Sequence, residues 1–70
     1  MQYAVVIESG PNNFSAYVPD LPGCVSVGDT LDEVKQMIRE AIELHIEGMR
    51  EDGLPIPESS TEVAVVEVAA

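Results

Sequence analysis

Hydrophobic and polar positions alternate in three short stretches near the start of the chain, and this pattern predicts three β-strands. Tyr3 to Ile7 is rich in β-branched residues, Phe14 to Val18 is apolar at every second position, and Cys24 to Val27 continues the alternation. Period-two patterns of this length are typical of strands. Turn-forming residues separate the stretches, so we expect an antiparallel meander.

The turn between the second and third predicted strands has a defined backbone geometry. Pro19 cannot donate to a ladder and should end the second strand. In Leu21-Pro22-Gly23-Cys24, Pro22 fixes its own φ and Gly23 accepts a positive φ, as a type II turn requires. Asp20 is expected to cap a turn with its side chain. We therefore assign Asp20, Pro22 and Gly23 structural roles.

The spacing of apolar residues becomes helical after Thr30. Thr30 and Glu33 have the separation of a capping box, in which each side chain satisfies a backbone donor of the other residue. Asp52-Gly53 offers a left-handed end. The predicted helix is roughly 33 Å long. Its apolar positions lie on one face: Leu31, Val34, Ile38, Ala41, Ile42, His45 and Met49.

A proline-rich connection leads from the helix to a last β-branched stretch, Val63 to Val68, which predicts a fourth strand. The order β-β-β-α-β indicates one α+β domain over residues 1–70. We expect a three-stranded meander with the helix on one face and the fourth strand parallel to the first and beside it. Both faces of the last strand are apolar, so Val66 and Val68 are expected to contact a second copy.

Three further helix residues, Met37, Leu44 and Gly48, widen the apolar arc to roughly 200°, more than one sheet face usually covers. These residues are the predicted partner or oligomer interface. Closure of the domain's own core edge by Met37 and Leu44 is the other interpretation, and the sequence leaves both open.

Composition limits the classes of partner. Thirteen acidic and three basic residues give a formal charge of -10, which repels nucleic-acid phosphates. A basic protein partner and simple solubility both explain the acidity.

No apolar run approaches the roughly 20 residues that span a membrane, so we expect a cytoplasmic protein. The chain is short and has one cysteine, so self-association as a dimer or larger homo-oligomer is expected to reinforce it.

Catalysis is not expected. His45 has no carboxylate one helical turn away to orient it, and Cys24 has no nearby cation to lower its pKa. A metal-dependent nuclease, the less favoured alternative, would require Glu8, a helical glutamate and Glu62 or Glu67 to converge. We therefore predict no enzyme activity, no cofactor and no metal site.

Two motifs together resemble a known family. Pro19-Asp20-Leu21-Pro22-Gly23-Cys24 and Gly28-Asp29-Thr30, followed by the helix and Gly53-Leu54-Pro55-Ile56-Pro57, resemble the HicB family of antitoxins. The resemblance implies a partial ribonuclease H-like domain that binds and neutralises a small, basic, RNA-cleaving HicA-like toxin.

Many members of that family continue into a DNA-binding domain, whereas this chain stops at Ala70. Repression of its own operator by this polypeptide is therefore not expected. A solitary homo-oligomeric structural or regulatory module without a toxin is the alternative function.

Overall fold

The computed structural model describes residues 1–69, which form three strands followed by one long helix. The strands are β1 (Val6–Ser9), β2 (Phe14–Tyr17) and β3 (Val25–Gly28), and the helix is α1 (Leu31–Glu51). Within these residues the sheet has the order β1-β2-β3, and both pairs are antiparallel. The predicted α+β meander followed by a helix is confirmed.

The strand β1 begins three residues later than the sequence pattern indicates. Its first paired residue, Val6, lies opposite Tyr17, the last residue of β2. Pro19 then turns the chain away, so residues 3–5 have no partner on β2. The end of β2 at Tyr17, and not the apolar pattern, determines where β1 begins.

The turn between β2 and β3 is closed by backbone hydrogen bonds. The Leu21 N–H donates to the Val18 carbonyl at 3.1 Å, and the Cys24 N–H donates to the Leu21 carbonyl at 3.0 Å. Gly23 has φ 84°, a value that places glycine at the third position of a type II turn. Leu21, which these two consecutive turns share, is completely buried in the core.

Local hydrogen bonds define both ends of α1. Thr30 is the N-cap, and its Oγ1 accepts from the Glu33 N–H at 3.1 Å. At the other end the Leu54 N–H donates to the Met49 carbonyl at 2.9 Å. Each bond satisfies a backbone group that the helix itself leaves without a partner.

The core lies between α1 and the second and third strands. A Cβ added to Gly28 on β3 would stand 2.8 Å from the Val34 nitrogen, so the strand and the first turn of the helix are in close contact. By contrast, no Cα atom of α1 lies within 8 Å of a Cα of β1. The helix therefore covers the sheet unevenly. The buried core residues are Ala16, Val18, Leu21, Cys24, Val34 and Ile38.

The predicted fourth strand is not formed, and this expectation is corrected. Residues 63–69 have no strand pairing, and their side chains are exposed, Val65 by 97%. A β-branched sequence favours an extended backbone, but a strand also needs a partner edge. Val66 and Val68 thus lie on an exposed tail, defined here as residues 62–69. Within the described residues, β1 remains an edge strand.

Candidate functional site

The acidic residues that a nuclease would need do not converge. Ile7 faces the helix, so the neighbouring Glu8 points to the opposite face of the sheet. Glu62 and Glu67 lie on the exposed tail. Among residues 1–69, no three His, Cys, Asp or Glu side chains are grouped so that they could hold a metal ion.

Cys24 and His45 occupy different environments. Cys24 is buried in the core, and burial raises the pKa of its thiol, which opposes formation of the nucleophilic thiolate. His45 is half-buried on α1. Burial of Cys24 is the environment expected for a packing residue.

One side of α1 carries an exposed apolar stripe, here called the helix flank, formed by Met37, Leu44 and Gly48. Leu44 is 69% exposed and Met37 is 40% exposed, so neither side chain closes the core. A Cβ added at Gly48 would meet nothing within 4 Å. Exposed Glu33 and Glu40 border the stripe. The flank thus combines accessible apolar area with negative charge, the composition that a basic protein surface would complement.

The other side of α1 faces an open groove along β1, here called the edge groove. It has a volume of about 800 Å³. Tyr3, Val5 and Ile7 supply its sheet side, because alternate residues of an extended chain share one face. Ile38, Ile42 and Ile46, spaced by four residues on α1, supply its helix side. The groove exists because α1 packs on β2 and β3 and leaves β1 uncovered.

All three basic residues of the chain, Lys35, Arg39 and Arg50, line the edge groove. Glu43 and Glu47 also line it, and the Arg39 Nε lies 3.6 Å from the Glu43 Oε1 in an exposed ion pair. In a protein of charge -10, this is a local concentration of positive charge. The groove was not among the surfaces predicted from the sequence, although the shared helix side of these three residues was a signal for it.

Asp20 anchors the chain that follows the helix. Its Oδ2 accepts from the Ser60 and Thr61 N–H groups, both at 3.1 Å. Its Oδ1 accepts from the Ser60 Oγ at 3.0 Å and the Thr61 Oγ1 at 2.9 Å. A second link comes from the Tyr3 hydroxyl, which donates to the Pro57 carbonyl. We call the Asp20 contacts the Asp20 anchor, and they fix the point from which the tail leaves the domain.

The Asp20 anchor also stabilises the ionised form of its carboxylate. The hydrogen bond from the Thr61 N–H contributes most to lowering the pKa of Asp20, and partial burial opposes it. The two hydroxyls and the Ser60 N–H lower the pKa further. Sequence reasoning placed Asp20 in a turn but missed this role, because its partners lie 40 and 41 residues away.

The tail does not contribute to the edge groove of its own chain. Every described tail side chain is exposed, and none of them lines the groove. Val66 and Val68, predicted to lie beside the first strand, are 76% and 77% exposed. Within residues 1–69, no helix is both long and apolar enough to cross a membrane.

Comparison with known proteins relates the chain to one family. A family model described as the HicB-like antitoxin of bacterial toxin–antitoxin systems matches residues 3–69. A chain in the solved structure of a HicA3 and HicB3 toxin–antitoxin complex superposes with a TM-score of 0.73 at 30% identity. That match covers 86% of this chain and 70% of the other.

Relatives of similar sequence occur in a phage, a bacterium and an archaeon. A 14.9 kDa protein from the rep-hol intergenic region of Haemophilus phage HP1 is 47% identical over 86% of this chain, which spans 45% of that protein. A UPF0150 protein of Helicobacter pylori is 38% identical, with 91% of this chain and 90% of the relative covered. A UPF0150 protein of Archaeoglobus fulgidus is 41% identical, with 76% and 81% covered.

Proposed function

The chain belongs to the HicB-like antitoxin family of bacterial toxin–antitoxin systems, and on that premise we propose that it binds and neutralises a small basic RNA-cleaving toxin. The observation that carries the proposal is the likeness to a chain of a HicA3 and HicB3 complex. The described residues contribute an acidic binding surface rather than a reaction centre. The proposed activity places the protein in the cytoplasm, where its toxin would meet RNA.

The toxin contact is proposed to lie on the helix flank. Leu44 is the most exposed large apolar side chain of α1, and an apolar residue at the centre of an interface contributes affinity by leaving water. The bordering carboxylates of Glu33 and Glu40 would attract the toxin's cationic side chains during encounter. Binding there therefore combines apolar burial with electrostatic attraction.

The charge distribution of α1 supports this choice of side. With 3.6 residues per turn, Lys35, Arg39 and Arg50 lie on the side of the helix opposite Met37 and Leu44. The edge groove holds these three cations together with Glu43 and Glu47, so it is less negative than the helix flank and would attract a cationic toxin less strongly. The helix thus separates an acidic surface suited to the toxin from a less negative one suited to a different partner.

The proposal predicts that a small basic protein is encoded beside this chain, and co-expression of the two tests it. The wild-type chain should restore growth in cells that produce this toxin, and the purified pair should bind less tightly as salt is raised, because ions screen exposed charges. Leu44→Lys and Met37→Lys should each weaken binding by at least about tenfold, because each puts a positive charge against a positive surface.

Leu54→Lys is the matched control, because Leu54 is 52% exposed and lies outside the helix flank. It should restore growth as the wild type does. Failure of the wild-type chain to bind or neutralise that toxin would contradict the proposed function. Full rescue by Leu44→Lys and Met37→Lys would contradict the assignment of the surface.

A toxin-free role as a self-assembling regulatory module is the alternative function. The open edge of β1 and the exposed apolar tail favour self-association. A chain that forms a stable homo-oligomer but binds no basic partner would support this alternative.

A further inference from the structure

The edge groove and the tail are complementary surfaces, and we propose that the tail of one copy fills the edge groove of a second copy. In this arrangement residues 62–69 add a fourth strand beside β1 of the partner, and the partner's tail does the same in return. The product is a two-fold symmetric dimer made by strand exchange. It gives each sheet the fourth strand that one described chain lacks.

The lengths of the two surfaces agree. Residues 62–69, extended at about 3.3 Å per residue, span about 26 Å. On the sheet side, the groove runs along residues 1–7, the segment that leads into β1 and includes its first two residues, about 23 Å of extended chain. On the helix side, it runs from Lys35 to Arg50, about 22 Å at 1.5 Å per residue. One strand of the tail's length therefore occupies the whole groove.

The chemistry of the two surfaces also agrees. The tail presents valines on both of its faces, with Val63 and Val65 on one and Val66 and Val68 on the other. Whichever face turns inward, it brings two valines to the apolar side chains of Val5 and Ile46. The other face continues the outer surface of the sheet, where Val6 is half-buried. An edge strand with free backbone groups is a template for such addition.

The charges of the edge groove favour the acidic tail over a basic segment as its occupant. The tail carries two acidic residues, Glu62 and Glu67, and no basic residue. The groove carries all three basic residues of the chain and two carboxylates. An acidic apolar segment therefore meets the least negative surface of an acidic protein, which lowers the repulsion between two copies of charge -10.

The Asp20 anchor favours a second copy over the chain's own groove. It fixes Ser60 and Thr61 against the turn after β2, and from that point the tail extends without lining its own groove. A tail held at its base and exposed along its length is presented to another molecule. The exchange leaves the helix flank free, so a dimer would offer two such flanks.

The oligomeric state of the full chain tests the inference, measured by light scattering on a sizing column at micromolar concentration. The wild type should have the mass of two chains. Substitution of Val65→Asp together with Val66→Asp should reduce the mass to one chain. Both side chains are exposed in the single chain, so this variant keeps the fold, and it places a charge on each face of the tail.

A second variant blocks the groove instead of the tail. Ile46→Lys puts a charge on the groove wall and should also give a mass of one chain, whereas Leu44→Lys, on the helix flank, should remain a dimer. An equimolar mixture of Ile46→Lys with the double tail variant should recover a two-chain species, because one intact tail and one intact groove are then present.

A wild-type monomer would overturn the inference, including a monomer whose tail occupies its own groove. A dimeric tail variant, or a mixture without the two-chain species, would also overturn it. None of these measurements involves a toxin, so their failure is distinguishable from failure of the proposed function. Under both proposals Leu44→Lys loses toxin binding and keeps the dimer, while Ile46→Lys keeps toxin binding and loses the dimer.

Discussion

Replacement of Gly28 by alanine tests how closely the helix lies on the sheet. The added Cβ would stand 2.8 Å from the Val34 nitrogen and 3.0 Å from its Cα. Both atoms belong to the helix backbone, and the Val34 N–H donates to the Thr30 carbonyl at 3.0 Å. No side-chain rotation relieves the clash, so β3 and the first turn of α1 must move apart.

The size of the effect follows from that displacement. Ordinary contact begins near 3.4 Å, so the two elements must separate by about 0.6 Å. Overpacking of this kind costs about 1 to 3 kcal/mol. Alanine also restricts the unfolded chain more than glycine does, and this offsets about 0.4 to 1 kcal/mol of that cost. The difference between the middles of these ranges leads us to expect that Gly28→Ala lowers the free energy of unfolding by about 1.3 kcal/mol.

Gly48→Ala is the matched control, because a Cβ there meets nothing within 4 Å. Alanine is favoured over glycine in a helix interior, so this variant should gain about 0.5 to 1 kcal/mol. Urea unfolding followed by circular dichroism measures both changes. At a slope of about 1 kcal/mol per molar urea, the two midpoints should differ by about 2 M. All samples need the same protein concentration, because association changes apparent stability.

Two results would refute the reasoning. A Gly28→Ala midpoint equal to or above the wild-type value would show that α1 does not lie against β3 at this distance. A Gly48→Ala midpoint lowered as far as that of Gly28→Ala would show that the loss comes from replacing glycine in general and not from the clash.

Three further predictions concern the anchor, the core and the helix cap. The pKa of Asp20 is lowered in the folded state. The hydrogen bonds of its anchor should therefore be complete above about pH 3.9, the pKa of an aspartate in the unfolded chain. They should be lost as the pH falls through the lower pKa of the folded state. The amide shifts of Ser60 and Thr61 should therefore titrate below about pH 4 in the wild type and not in Asp20→Asn; identical titration in both would contradict this. Leu21→Ala should cost about 2 to 5 kcal/mol in thermal or urea unfolding because Leu21 is fully buried, whereas a loss as small as that of exposed Leu54→Ala would contradict the burial. Thr30→Ala should cost about 1 kcal/mol and Thr30→Ser should restore it, and equal stability of both variants would argue against the cap.

The features that the sequence predicted well are those determined by neighbouring residues. The alternation in Phe14 to Val18 and the Pro22-Gly23 turn carry their own backbone preferences. Thr30 and Gly53 stand at the ends of a strongly periodic segment, so the predicted helix agrees with Leu31–Glu51. None of these features depends on which distant segment lies nearby.

The features that the sequence predicted poorly depend on distant partners. Val63 to Val68 has the composition of a strand, but composition does not specify an edge on which to pair. Tyr3 to Val5 lacks pairing because β2 ends at Tyr17. The edge groove follows from the position of α1 across the sheet, and that position is set by contacts such as Gly28 with Val34.

The candidate site also contains both local features, which the sequence predicts, and long-range features, which it does not. The exposed stripe at Met37, Leu44 and Gly48 could be identified from helical spacing alone. The Asp20 anchor could not, because an aspartate in a turn is usually explained by its immediate neighbours. The three basic residues gave a usable signal, since in a chain with so few of them their common position on one helix side is informative.

The long-range hydrogen bonds at the end of the domain have a consequence for the order of folding. Tyr3 and Pro57 are 54 residues apart, and Asp20 and Thr61 are 41 apart. Closing loops of this length costs more chain entropy than closing a turn or a helix. The meander and helix can therefore assemble before residues 57–61 dock. During synthesis the tail emerges after the sheet and the helix, so a new chain would meet a second copy with its own sheet and helix already in place.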